Sequence, residues 1–189
     1  IAIDGPAGAG KSTAARAVAK ALGIRYLDTG AMYRALALHA QRQGVDPADE
    51  AGMAGILGTA DITVRFTDAG QRTYLSGEDV TDGLRTQALS MGASHVGVHK
   101  AVRQKLAALQ RQVGREYDVV MDGRDITTNV LPDTPYKFYI TASAKERAKR
   151  RFLELQAAGH TEKSAEEIER EIVARDKNDM GRAYMPLRR

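Results

Sequence analysis

The sequence has no cysteine. That rules out disulfides, thiolate zinc sites and a cysteine nucleophile, and it suits the cytoplasm, the expected location. Tryptophan is also absent, and three phenylalanines stand beside seven tyrosines with no aromatic ladder. A surface that stacks the bases of single-stranded nucleic acid is therefore not expected. No apolar run approaches the roughly 18 residues of a membrane span. The opening Ile1-Ala2-Ile3-Asp4-Gly5 has no basic stretch ahead of an apolar one, so no signal peptide is expected. Ile1 already reads as part of a strand, and the gene product is expected to start upstream of it. Repeats and low-complexity tracts are missing too. What remains is 189 residues, 43% hydrophobic, with 28 Lys and Arg against 24 Asp and Glu and a net charge of +4. This composition belongs to one globular domain, long enough for a sizeable core and too short for two enzyme domains. Much of the basic excess follows Ser143, with 12 Lys and Arg against 9 Asp and Glu.

The pattern along the chain predicts alternating strands and helices. Ile1–Asp4 is a short apolar strand, and a helix follows from Lys11 to Leu22 with Gly23 as its stop. A second strand covers Ile24–Leu27, and a helix runs from about Ala31 to Gln43. Pro47 suits the first position of a further helix reaching about Leu57. The period then changes to two: Ile62, Val64 and Phe66 alternate with polar residues, and a turn at 67–70 leads back through Arg72–Leu75. A small antiparallel patch over about 61–81 is expected as an insert. Helices resume over 86–95 and 99–112, followed by strands at 118–122 and 136–140. Ser143 and Ser164, each with a Glu three residues on, open two charged helices separated by Gly159-His160. This order implies α/β architecture: a doubly wound parallel sheet with helices on both faces.

Gly5-Pro6-Ala7-Gly8-Ala9-Gly10-Lys11-Ser12, followed by Thr13, fits G-x-x-x-x-G-K-[ST] in the required context of strand before and helix after. The glycines let successive N–H groups turn inward around a phosphate, and the helix start adds its positive dipole end. Lys11 supplies a mobile cation for the outer phosphates. Ser12 supplies a hydroxyl able to ligate Mg²⁺. This is a nucleoside triphosphate cradle. No Asn-Lys-x-Asp segment follows a strand, which excludes a switch GTPase, and motor or transporter ATPases are larger. Small kinases and hydrolases remain.

Three further segments should open into the same crevice, because loops at the carboxyl ends of parallel strands line it. Asp28-Thr29-Gly30-Ala31-Met32-Tyr33-Arg34 follows the second strand. Asp122-Gly123-Arg124-Asp125 follows the most apolar one, with Asp122 placed to hold a metal's water shell. Arg175, Asp179 and Arg182 share one face if the last helix persists through Gly181. Each segment also has a plain structural reading: an N-cap with a surface Arg, a turn closed by an ion pair, a solvent-facing charge ladder. No Ser-His-Asp or paired-carboxylate constellation is present to serve an acceptor hydroxyl. A phosphate acceptor needs no such base, because its second pKa is roughly 6, and separated arginines suit it.

The series IDGPAGAGKST, LDTGAMYR, DGRDI and RDKNDMGR resembles the bacterial cytidylate kinase family, in order and over nearly the whole chain. The resemblance implies a P-loop kinase fold with a helical lid and ATP-dependent, Mg²⁺-dependent phosphorylation of CMP and dCMP. It implies a core over about 1–30, 84–142 and 171–189, a monophosphate-binding insert over 31–83 and a lid over 143–170. It places Thr29 near the pyrimidine, Arg34 and Arg124 on the acceptor phosphate, and Ser94, Arg103 and Asp125 on the cytosine ring. Arg175 and Asp179 fall to the sugar, with Arg182 beside the base. Lys11, Arg124, Arg147 and Arg151 carry the catalytic positions. Ser12 is the direct metal ligand, and Asp122 acts through water. The family continues beyond this point with a further strand and helix, whereas this sequence stops at Arg189. A monomer acting on small nucleotides, with no nucleic acid or membrane partner, is expected. Two alternatives stay open: a P-loop kinase for another monophosphate or a metabolite hydroxyl, with Asp122 or Asp125 as base, and a nucleotide-dependent regulator that binds RNA or protein through its basic helices.

Overall fold

The computed structural model describes residues 1–157, 159 and 163–189. β1 (Ala2–Asp4) leads into α1 (Lys11–Leu22), β2 (Arg25–Asp28), α2 (Thr29–Arg42) and α3 (Glu50–Leu57). β3 (Ile62–Thr67), β4 (Gly70–Leu75) and β5 (Glu78–Asp79) follow, then α4 (Gln87–Val96) and α5 (Lys100–Glu116). β6 (Val119–Gly123) precedes a π-helical turn at Ile126–Val130, and β7 (Lys137–Tyr139), α6 (Ala144–Ala157) and α7 (Ala165–Gly181) complete the chain.

The main sheet has the order β2-β6-β1-β7, and every pair is parallel. β1 and β6 are buried along their whole length, as central strands covered on both faces must be. Alternation sends Ile3 and Val120 to one face, where Ala15 and Ala19 of α1 pack on them. Ala2, Leu27 and Met121 point to the other face, into a larger core that includes Leu36 of α2, Val96 of α4 and Leu106 of α5. The loop after β1 thus goes to one face, and the loop after its neighbour β6 goes to the opposite face. A crevice opens where these two loops part. Parallel register sets Asp28 level with Asp122, and Asp4 level with Gly123, at its floor.

β3, β4 and β5 form the separate antiparallel sheet. Gln71 of β4 ties it to the main sheet. Its side-chain oxygen accepts from the Asp28 amide at 2.6 Å, and its Nε2 donates to the Asp28 carbonyl at 3.3 Å. A side-chain amide thereby pairs with a peptide group as a neighbouring strand would.

Three expected boundaries are corrected. Pro47 does not open α3. The helix starts at Glu50, with Asp49 as N-cap accepting from the Ala51 amide, while the Pro47 carbonyl bonds His99 Nε2 at 2.8 Å. α2 starts at Thr29, because the Asp28 carboxylate caps it through the Ala31 amide. α5 continues past Gln112 to Glu116 despite Gly114. There a Cβ would come within 2.9 Å of Leu131, so glycine serves close packing rather than a helix stop. Ser164 builds the full reciprocal capping box that opens α7, and Ser143 accepts from the Glu146 amide. Gly159 has φ +80, while His160 lies outside the described residues.

Candidate active site

The phosphate loop owes its shape to close approach. At Gly5, with φ +148, a Cβ would lie 2.0 Å from the Ile140 carbonyl oxygen, so only glycine lets this loop cross β7's exit. Gly8 and Gly10 take left-handed angles that turn the loop into α1. Lys11 is buried and folds back to donate to the Pro6 carbonyl at 2.7 Å. Burial, then the nearby Arg124 guanidinium, push its ammonium down to about 7. Ser12 Oγ donates to Asp122 Oδ2 at 3.0 Å, and Tyr26 Oη donates to Asp122 Oδ1 at 2.8 Å. Burial and then the neighbouring Asp28 charge raise Asp122 above its ordinary value. Burial drives the Tyr26 phenol upward as well.

A crevice of about 240 Å³ runs from Ala7, Gly8, Lys11 and Ser12 to the far wall. All nine residues assigned to the monophosphate line it: Thr29, Arg34, Ser94, Arg103, Arg124, Asp125, Arg175, Asp179 and Arg182. They come from α2, α4, α5, the loop after β6, and α7 with its C-terminal end. Asp28 holds Arg34 at 2.8 Å, and Asp179 accepts from Arg124 at 2.7 Å and from Arg182 at 2.8 Å. Burial works to raise Asp179, but Arg124 and Arg182 outweigh it and keep the carboxyl below its usual range. Arg103 is 1% exposed, with Nη2 2.7 Å from Asp125 Oδ1. Arg103 and Arg182 each donate to the Gly97 carbonyl at 3.2 Å, which fixes both to the turn between α4 and α5. Thr29 donates to the Asp122 carbonyl at 2.7 Å, so its donor is already committed.

Among the described residues, three crevice arginines each keep one buried guanidinium nitrogen without a hydrogen-bond partner, Arg34 Nε, Arg103 Nε and Arg175 Nε, while Arg103 Nη2 is held by its ion pair with Asp125. Arg175 forms no ion pair among these residues, and burial followed by Arg124 lowers its guanidinium to about 10. Buried donors without acceptors carry a desolvation cost of roughly 1–3 kcal/mol each. Concentrated in one crevice beside a phosphate loop, they describe a site shaped for an oxygen-rich anion.

The family model described as cytidylate kinase matches residues 1–189. The chain belongs to the cytidylate kinase family. Curated relatives named cytidylate kinase are similar along its full length. That of Symbiobacterium thermophilum is 50% identical, over 99% of this chain and 83% of its own. That of Desulfitobacterium hafniense is 49% identical, over 99% and 80%, and that of Caldicellulosiruptor bescii is 46% identical, over 100% and 83%. Family membership makes this protein a P-loop phosphotransferase, and the parallel sheet with its flanking helices agrees. No described helix is long and apolar enough to cross a membrane.

Not every assigned residue faces the crevice. Thr13 is exposed on α1. Arg147 is 4% exposed and already engaged: it donates to both Asp176 oxygens at 2.5 and 3.1 Å, to the Ala7 carbonyl at 3.0 Å and to the Ala142 carbonyl at 2.9 Å. Arg151, one turn on, is exposed and pairs with Glu154 at 3.2 Å.

Sequence reasoning passed over five residues that build the site. Tyr33 lines the crevice with its ring 5.9 Å from the Arg103 guanidinium, and burial pushes its phenol up to about 12. Its place one turn after Thr29 was a usable signal. Tyr26 precedes Asp28 by two on a strand, hence shares its face. Gln71, Asp176 and Asp4 gave no local signal. Asp4 is fully buried and accepts from the Ile126 and Thr127 amides, anchoring the loop that carries Arg124 and Asp125.

Proposed function

We propose that this protein transfers the γ-phosphoryl group of ATP to CMP and dCMP, giving ADP with CDP or dCDP. The unpartnered guanidinium nitrogens beside the phosphate loop carry the reading. Arg34 and Arg124 receive the acceptor phosphate, which is already largely dianionic because its second pKa is roughly 6, and Arg175 with Asp179 reaches the sugar. No general base is needed. The arginines and Lys11 draw two anions together and stabilise charge on the equatorial oxygens of the transferring group.

Ser12 and Asp122 fit a hard divalent cation: a hydroxyl and a carboxylate, 3.0 Å apart, at the start of α1 beside the phosphate loop. Ser12 would bind Mg²⁺ directly and Asp122 through its water, and the ion would supply neutralising charge between the outer phosphates. Arg147 acts through the loop whose Ala7 carbonyl it holds. Arg151 approaches the outer phosphates when the α6–α7 pair closes.

Cytosine offers an N4 amino donor beside N3 and O2 acceptors. Asp125 accepts from the amino group, and the free Arg103 Nε donates to a ring acceptor. Uracil would set O4 lone pairs against the buried carboxylate, a mismatch that rejects an analogue strongly. A coupled assay with CMP, dCMP, UMP and a metabolite hydroxyl, against bare ATP hydrolysis, tests the reading. CMP and dCMP should dominate. In Asp125→Asn, kcat/KM for CMP should fall while the UMP-to-CMP ratio rises. Equal losses on both nucleotides would reduce Asp125 to a prop for Arg103.

A further inference from the structure

Asp122 is buried, and both of its oxygens are engaged from opposite sides. An ionised carboxylate only accepts, so the direction of each bond is set. The Ser12 hydroxyl spends its single proton on Oδ2, which leaves its lone pairs to face the phosphate loop. The Tyr26 phenol spends its proton on Oδ1. Tyr26 reaches there because β2 and β6 run parallel with Tyr26 level with Val120 and Asp28 level with Asp122. Alternation turns Tyr26, Asp28, Val120 and Asp122 to the same face, and a tyrosine is long enough to cross diagonally to the residue two further along the neighbouring strand. The Arg16 guanidinium of α1 lies 5.4 Å from the ring centroid and packs it in place.

A carboxylate held by one hydrogen bond can turn about its Cβ–Cγ bond. Held at both oxygens, it cannot. The Tyr26 bond therefore decides which oxygen meets Ser12 and which lone pairs stay open for the water shell of a cation.

We propose that Tyr26 is a positioning residue for the metal site, its hydroxyl locking the Asp122 carboxylate so that Ser12 and Asp122 present their oxygens to Mg²⁺ in one arrangement. The inference rests on the reading that Ser12 and Asp122 hold that cation. Partners that orient a metal-binding group typically contribute 10- to 100-fold to affinity or activity.

Tyr26→Phe is the test, since it keeps the ring and its contact with Arg16. Calorimetry without CMP would measure ATP binding in EDTA and in MgCl₂ for both proteins. Metal-free ATP affinity should be equal within about twofold, which also reports an intact fold and phosphate loop, while the gain from Mg²⁺ should shrink by about tenfold. In turnover, the Mg²⁺ concentration for half-maximal rate should rise by a similar factor, excess Mg²⁺ should restore most of kcat, and KM for CMP should stay put. In an Asp122→Asn background, Tyr26→Phe should add nothing. An undiminished Mg²⁺ gain in Tyr26→Phe overturns the role of Tyr26 and leaves the metal assignment standing. A wild-type protein whose ATP affinity ignores Mg²⁺ overturns both, and so separates the two failures.

Discussion

Lys11 shows how a single residue stores the demand for a ligand. Burial and then the Arg124 guanidinium push its ammonium down to about 7, against 10.5 ordinarily. Between those values the unfolded chain holds a proton that the folded protein has lost, so this group's contribution makes stability rise with pH across that window. Below about 7 the buried charge weighs fully against folding. A polyphosphate restores the proton by opposing charge. ATP binding at pH 8, followed by calorimetry in two buffers of different ionisation heat, should show net proton uptake, and Lys11→Met should abolish it. The same variant should lose roughly 3–4 kcal/mol of transition-state stabilisation, as other single electrostatic donors do. Near-normal turnover in Lys11→Met would dismiss the phosphate-loop assignment.

Elements act here through the caps and ties that join them. α2 starts where Asp28 caps it, and the same carboxylate holds Arg34, so one residue sets both the helix start and the guanidinium. Gln71 of β4 fixes the Asp28 backbone from the antiparallel sheet. The antiparallel sheet therefore steadies the Asp28 end of the crevice, the proposed acceptor side, from outside it. Gln71→Ala should cost about 1 kcal/mol of stability, the net worth of a typical hydrogen bond. It should raise KM for CMP about fivefold, the factor equivalent to that energy, while KM for ATP and kcat change little. Equal rises for both substrates would show that the insert merely supports the fold.

Across the whole molecule, α6 is fastened at its base by Arg147 and packs along α7. Arg147 joins the phosphate loop to Asp176 of α7, and breaking such a buried pair from one side costs roughly 3–5 kcal/mol. Arg147→Ala should show that loss in denaturant melts. The proposed closure over the nucleotides, which would exclude water from the transferring group, would pivot about this anchor. Hydrogen exchange with a non-hydrolysable ATP analogue and CMP together should slow in α6 beyond Arg147 and in α7, more than with either ligand alone. Identical exchange with and without the pair would rule closure out.

The local signals in the sequence were enough for the alternating architecture, the phosphate loop and the three crevice segments. Glycine spacing, strand-then-helix periodicity and charge at strand ends are consequences of backbone geometry within a few residues. They also placed Arg175, Asp179 and Arg182 together, since helical spacing fixes a face before any tertiary contact forms. What they could not reach was pairing across distance. Pro47 looks like a helix start until His99, 52 residues on, takes its carbonyl. Arg147 reads as an open lid cation until Asp176 and Ala7 enclose it. Tyr26 and Asp122 lie 96 residues apart and meet only because β2 and β6 run side by side. Sheet order and register bring such partners together, and those depend on the whole chain burying its core at once.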